Sequence, residues 1–213
     1  MTRRYDAVLF DIGGVFWASP WAMLDKLAEE VGADAATVHQ IVLGPYDDDT
    51  DHPWHRVERG ELGLQDARSE IRALGASQDL DIDLFRMFEL IGSASREPFG
   101  AVVDRARQLR GEGYRTAAVT NNVREFSDGW REPIDADAIF EVIVDSSHEG
   151  IRKPDVRMFE LALERLGGID PQRAIFLDDT ESNVDAAAAI GISGIVVGDL
   201  GAALGELDAR LAG

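Results

Sequence analysis

Residues 5–16, YDAVLFDIGGVF, decide the reading of this chain. Ala7 to Phe10 form a short apolar, strand-like run that stops on a single carboxylate, Asp11, and two glycines, Gly13 and Gly14, follow at once. A turn stripped of side chains just after an acid lets the backbone approach whatever that acid holds, where a Cβ would crowd it.

Similar runs recur at Arg115 to Val119, Ile139 to Val144, Ala174 to Leu177 and Ile192 to Val197. Segments of helical period lie between them, at Pro98 to Glu112, Asp155 to Leu166 and Ser182 to Ile190. Strands alternating with helices predict an α/β fold, a doubly wound parallel sheet with right-handed crossovers and helices on both faces. The ligand crevice of such a sheet lies at the carboxyl ends of its strands. Asp11, Thr120, Asp145 and Asp178 each follow an apolar run, so this topology is expected to gather them on one edge.

The interval from Trp17 to Ser95 has a different character. It carries helix-period segments at Pro20 to Val31, Ala35 to Leu43, Leu64 to Leu74 and Asp81 to Ile91, and no convincing strand. The expected organisation is therefore an α/β core made of residues 1–16 and 96–213, with a helical cap, 17–95, inserted after the first strand. Within the cap, Asp47 to Asp51 (DDDTD) reads as a solvated loop and Glu58 to Leu64 (ERGELGL) as a turn broken by Gly60 and Gly63.

Composition narrows the class of function. The 213 residues suit one domain or a core with one insertion. Asp and Glu number 40 against 21 Lys and Arg, a formal net charge of −19, which repels nucleic-acid backbones and anionic lipid surfaces. The expected partner is a small molecule; neither a nucleic acid nor a membrane is expected, and the oligomeric state is left open. With no cysteine, disulfides and thiolate metal sites are excluded. The first apolar run breaks at Asp11, too early for a signal peptide, and no run approaches the roughly 20 residues of a membrane span. A soluble, cytoplasmic enzyme is the expectation.

Four stretches carry chemistry in chain order: Asp11 in FDIGGVF, Thr120 with Asn121 and Asn122 in VTNN, Lys153 in RKPD, and Asp178 with Asp179 in FLDDTESN. Singly, each has a bland reading as a cap, a turn or a surface charge. Together, and in this order, they resemble the haloacid dehalogenase superfamily, most closely its branch of small sugar-phosphate phosphatases and the phosphatase domain attached to some epoxide hydrolases. The resemblance runs from the first strand to the fourth and includes the helical cap. It implies Asp11 as nucleophile, Thr120 and Lys153 as catalytic and phosphate-holding groups, and Asn121 and Asn122 beside the phosphate. It also implies Mg2+ on Asp11, the Gly13 carbonyl and Asp179, supported from behind by Asp178 and Asn183. A carboxylate attacking a phosphoryl group approaches an anion, so a divalent cation that neutralises the repulsion is physically required there.

The activity so implied is magnesium-dependent hydrolysis of a small phosphate monoester through an aspartyl-phosphate on Asp11. One position departs from the pattern. Most phosphatases of the family carry a second aspartate two residues after the nucleophile, as acid and base, and here that residue is Gly13. A proton donor elsewhere is one way out, with Asp48, Asp49, His52, His55 and His148 as candidates; an easy leaving group is another. Attack on carbon, as in the 2-haloacid dehalogenases, is a third, since halide leaves without a proton, although the acidic pair speaks for metal and phosphate. A catalytically weak binding protein on the same scaffold is the last. Trp17, Trp21, Trp54, His55 and the stretch Phe126 to Pro133, with an exposed-looking Trp130, are candidates for the substrate wall.

Overall fold

The computed structural model describes residues 3–93 and 97–213. The chain runs β1 (Ala7–Phe10), then the helices α1 (Trp21–Val31), α2 (Ala35–Leu43), α3 (Pro53–Glu58), α4 (Leu64–Ala76) and α5 (Leu84–Ser93). It continues through α6 (Gly100–Gly111), β2 (Arg115–Thr120), the short α7 (Arg131–Ile134) and α8 (Ala136–Ile139), and β3 (Val142–Asp145). The rest is α9 (Ser146–Glu149), α10 (Arg157–Arg165), β4 (Ala174–Asp178), α11 (Glu181–Ala189), β5 (Ser193–Val196) and α12 (Leu200–Ala212).

The sheet is parallel throughout, in the order β3-β2-β1-β4-β5, so β1 sits at the centre with the chain winding outward on both sides. Alternation along β1 divides its side chains between two apolar layers. Val8 and Phe10 pack with Val102, Leu109 and Leu207 on one face, while Ala7 and Leu9 pack with Met158, Phe159 and Phe176 on the other. Because both faces are covered, the strands are apolar along their whole length rather than alternating.

Register fixes the edge. Phe10 pairs with Ala118 of β2 and Leu177 of β4, and the Asp11 amide extends the ladder by donating to the Leu177 carbonyl at 2.8 Å. Asp11 and Asp178 therefore leave adjacent strands side by side. Thr120 pairs with Asp145 at the same end of the sheet.

The helices α1 to α5 enclose a third apolar cluster, among them Leu24, Leu27, Ile41, Trp54, Ile71 and Met87, joined from the core by Val123. The boundary expected at 95/96 lies outside the described residues. Other expectations shift. The run from Ile139 shortens to a strand at Val142–Asp145 because Ile139 ends α8, where its carbonyl accepts from the buried Thr116 hydroxyl. The stretch 126–133, expected as a polar loop, turns helical at Arg131, and Trp130 is half-buried against Phe140 rather than exposed. The helices α3 and α12, and the four-residue α7, α8 and α9, go beyond the sequence expectations. At six residues α3 is too short to show a period; it is set by Pro53 at its first turn and the His52 side chain, which accepts from the Trp54 amide at 3.2 Å.

Candidate active site

The carboxyl ends of β1, β2 and β4 meet under the cap. Lys153, 1% exposed, places Nζ 2.8 Å from Asp11 Oδ1 and 2.6 Å from Asp178 Oδ2. Asp178 is saturated by the protein: besides Lys153, Asn183 Nδ2 donates to both its oxygens at 3.2 and 3.1 Å, and the Thr180 amide donates to Oδ1 at 2.8 Å. Asp179 turns the other way and accepts from the Thr180 hydroxyl at 3.3 Å. One carboxylate oxygen of each of Asp11, Asp178 and Asp179 lies within 4.8 Å of the others.

Three carboxylates against one ammonium leave an excess of negative charge in a buried place. Burial is the chief cause that raises the Asp11 carboxyl, to about 8; Lys153 opposes it and Asp178 and Asp179 add to it. Asp179 is raised as well, again chiefly by burial. At Lys153 burial acts against the charged form, but Asp11 and Asp178 outweigh it and hold the ammonium above its ordinary value. Such a donor set, all hard oxygen and short of positive charge, fits a divalent cation such as magnesium.

The two glycines separate in role. Gly14 adopts φ +71, and a Cβ there would overlap the Asp179 carboxylate carbon. Gly13 has nothing within 4 Å of where its Cβ would stand, so the expected crowding holds at Gly14 alone.

The VTNN segment spends its asparagines on the protein itself. Asn121 clasps the main chain of Lys153 in both directions, Nδ2 donating to its carbonyl at 3.0 Å and Oδ1 accepting from its amide at 2.7 Å. The Asn122 amide donates to Ser146 Oγ at 2.9 Å and its Nδ2 donates to Asp145 Oδ2 at 2.8 Å. Asp145 also caps α9, accepting from the Ser147 amide at 3.0 Å, so it braces this loop rather than facing the cavity. Thr120 is buried, 3% exposed, and borders a second cavity rather than the one that Lys153 lines.

Two cavities meet at Gly13, Asn121 and Asn122. One of about 190 Å3 has Asp11, Lys153, Asp179 and Asn183 at its floor and Trp21, Leu43, Trp54, Met87 and Phe88 from the cap as its apolar roof. The other, about 750 Å3, is walled by Trp17, Phe126, Trp130 and Pro133, with Thr120 at its base. Trp17, Trp21, Trp54 and the 126–133 stretch thus border the site as expected. His55 does not: it is wholly buried, and its Nδ1 accepts from the Thr50 amide at 3.0 Å. Asp48, Asp49, His52 and His148 also lie outside both cavity walls.

Sequence reasoning missed three residues. Glu58, at the end of α3, lines the smaller cavity together with Tyr46, and Arg152, the neighbour of Lys153, reaches across from the core to Glu58. The Tyr46 hydroxyl donates to Glu58 Oε1 at 3.2 Å and Trp54 Nε1 donates to the same oxygen at 2.9 Å. The one available signal was the doubled cation in RKPD.

A family model of haloacid dehalogenase-like hydrolases matches residues 5–191. The chain belongs to that family. Among curated relatives of this haloacid dehalogenase-like hydrolase, acyl-CoA dehydrogenase family member 10 of Mus musculus is 34% identical over 211 residues, 98% of this chain and 19% of that protein. Bifunctional epoxide hydrolase 2 of Rattus norvegicus is 29% identical over 150 residues, 68% of this chain and 26% of that one. The chain spans about a fifth to a quarter of these two proteins. Sesquiterpene phosphatase astK of Aspergillus oryzae is 26% identical over 208 residues, 93% of each chain. Solved structures of similar fold include a HAD family enzyme of Bacteroides thetaiotaomicron in complex with magnesium and inorganic phosphate, with TM-score 0.61, 19% identity and coverage of 92% of this chain and 96% of that one. Another is L-2-haloacid dehalogenase of Xanthobacter autotrophicus with chloropropionic acid covalently bound, with TM-score 0.60, 16% identity and coverage of 91% and 77%. Among the described residues no helix is long and apolar enough to cross a membrane.

Proposed function

We propose that this hydrolase is a magnesium-dependent phosphatase acting on a small phosphate monoester with Asp11 as nucleophile. The observation that carries the reading is the set Asp11, Asp178, Asp179 and Lys153, three carboxylates and one ammonium gathered within a few ångströms. A dehalogenase displacing halide from carbon has no need of such an excess of acid. Magnesium, held by Asp11, the Gly13 carbonyl and Asp179, would neutralise the charge between nucleophile and phosphate.

The chain's own residues supply the rest. Asp178, fixed by Lys153, Asn183 and the Thr180 amide, orients the lysine; Lys153 balances charge on Asp11 and on an incoming phosphate oxygen. Asn121 holds the lysine's backbone in place, and the Thr120 hydroxyl, in the adjoining cavity, would take a phosphate oxygen that reaches past the shared border at Gly13 and Asn121. Asp11 attacks phosphorus, the ester bond breaks, and water then cleaves the aspartyl-phosphate while the cap excludes bulk solvent. The apolar roof, together with the likeness to a sesquiterpene phosphatase, supports an ester whose alcohol carries apolar carbon.

Phosphate release from a panel of phosphorylated metabolites, with and without magnesium and with Asp11→Asn as blank, tests the proposal. Magnesium-dependent release lost in the variant is expected. The second reading, dehalogenation, is favoured by Gly13 alone; halide release from 2-haloacids without phosphate release would put it first.

A further inference from the structure

Gly13 leaves the leaving group without its expected acid, and none of the histidines or aspartates first considered borders either cavity. Tyr46 does, lining the smaller cavity together with Glu58, Asp11 and Lys153. Its ring is held on two sides. Trp21 meets it edge-on at 5.1 Å between centroids, and the Arg152 guanidinium lies 4.9 Å from its centroid. Glu58 accepts on both oxygens, from Tyr46 and Trp54 on one and from Arg152 Nε at 2.7 Å on the other, so it orients the phenol and acts as an acceptor.

We infer that Tyr46 donates the proton to the departing oxygen and recovers it from water, taking the place of the aspartate missing at Gly13, with Glu58 and Arg152 as positioning residues. The inference rests on the phosphatase reading. In the first step an Asp11 oxygen bonds to phosphorus, the bond from phosphorus to the alcohol oxygen breaks, and its electron pair goes to that oxygen, which takes the Tyr46 hydroxyl proton as the hydroxyl turns from Glu58 Oε1. In the second, water oxygen bonds to phosphorus, one water proton passes to the Tyr46 phenolate, and the electron pair of the phosphorus–Asp11 bond returns to the carboxylate. One water is consumed, and alcohol and phosphate are released.

The surroundings suit both steps. Burial first, then Glu58, hold the phenol well above its ordinary pKa, so it enters loaded with its proton; an alkoxide is basic enough to take it. The phenolate then forms beside Arg152 and is a strong base toward water.

The test compares an alkyl phosphate, which needs an acid, with 4-nitrophenyl phosphate, which does not. Tyr46→Phe is expected to lower kcat on the alkyl ester by about 10²-fold or more. With 4-nitrophenyl phosphate the same variant should give a burst of nitrophenolate equal to the enzyme, followed by slow turnover as phosphoenzyme accumulates. Glu58→Gln should lower kcat on the alkyl ester and leave KM nearly unchanged. Because a Cβ at Gly13 meets nothing within 4 Å, the backbone has room to bear a side chain there, and Gly13→Asp should restore alkyl-ester turnover in the Tyr46→Phe background, which also shows that the variant folds. Wild-type rates in Tyr46→Phe, or a uniform loss on both esters with no burst and no rescue, overturn the inference while the phosphatase reading stands. No Asp11-dependent phosphate release from the wild type removes both.

Discussion

Arg152 Nε lies 2.7 Å from Glu58 Oε2, an ion pair between residues 0% and 2% exposed that ties the segment before Lys153 to the end of α3. Close by, Gly60 at φ +68 brings the cap so near the core that a Cβ would overlap the Ser147 carbonyl, and the Leu64 amide donates to Glu125 at 3.1 Å. Cap and core are thus joined by a buried charge pair as well as apolar contact.

Removing one partner of that pair leaves the other charge buried and uncompensated. Arg152→Met is expected to cost about 3–5 kcal/mol of stability, and the double variant Arg152→Met/Glu58→Leu to recover a large part of it. Urea unfolding of the two variants measures this; a double variant no more stable than the single one contradicts it.

The glycines after Asp11 should respond unequally. Gly14→Ala combines a left-handed backbone with overlap on Asp179, and is expected to lose stability by about 1–2 kcal/mol and to weaken magnesium binding. Gly13→Ala, with open space at its Cβ, should change stability by less than about 0.5 kcal/mol. Thermal melts with and without magnesium separate the two.

Lys153→Met strips the only ammonium bonded to Asp11 and Asp178 among the described residues. Turnover should fall by about 10²-fold or more, and stability should fall by about 3–5 kcal/mol, partly regained on adding magnesium. Asp179→Ala, by contrast, should raise the magnesium concentration needed for half-maximal rate. A magnesium titration of each variant's rate and melting temperature checks both.

Acid should loosen the cap through His55. Its burial, with Arg152 and His52 adding to the effect, lowers its pKa from 6.5 to about 3, so below pH 6.5 the unfolded chain binds a proton that the folded chain refuses. Stability therefore falls as pH drops from about 6.5 towards 3, by at most about 1.4 kcal/mol per unit from this residue. Unfolding at pH 7 and pH 5 should show a smaller difference in His55→Gln than in the wild type.

Much of the core was legible because it is local. Each strand is a short apolar run, each motif residue stands at the end of one, and parallel winding brings those ends to one edge. Asp11, Lys153, Asp178 and Asp179 meet as expected, while Thr120 opens on the neighbouring cavity. Reading failed where the signal was short or the partner remote. The helix α3 has fewer than two turns, and Trp130, polar in its setting, gains its cover from Phe140.

The amino-acid sequence alone determined the wound parallel sheet, the helical stretch between its first two strands, and the meeting of Asp11, Lys153, Asp178 and Asp179, because period, spacing and residue chemistry are written along the chain. Tertiary structure decided what faces Asp11 across the cavity. Tyr46 and Glu58 stand 94 or more residues before Arg152, and their hydrogen bonds exist only once the cap has docked. It also decided at which glycine a side chain would be crowded, since that depends on where Asp179, 165 positions after Gly14 in the sequence, comes to rest.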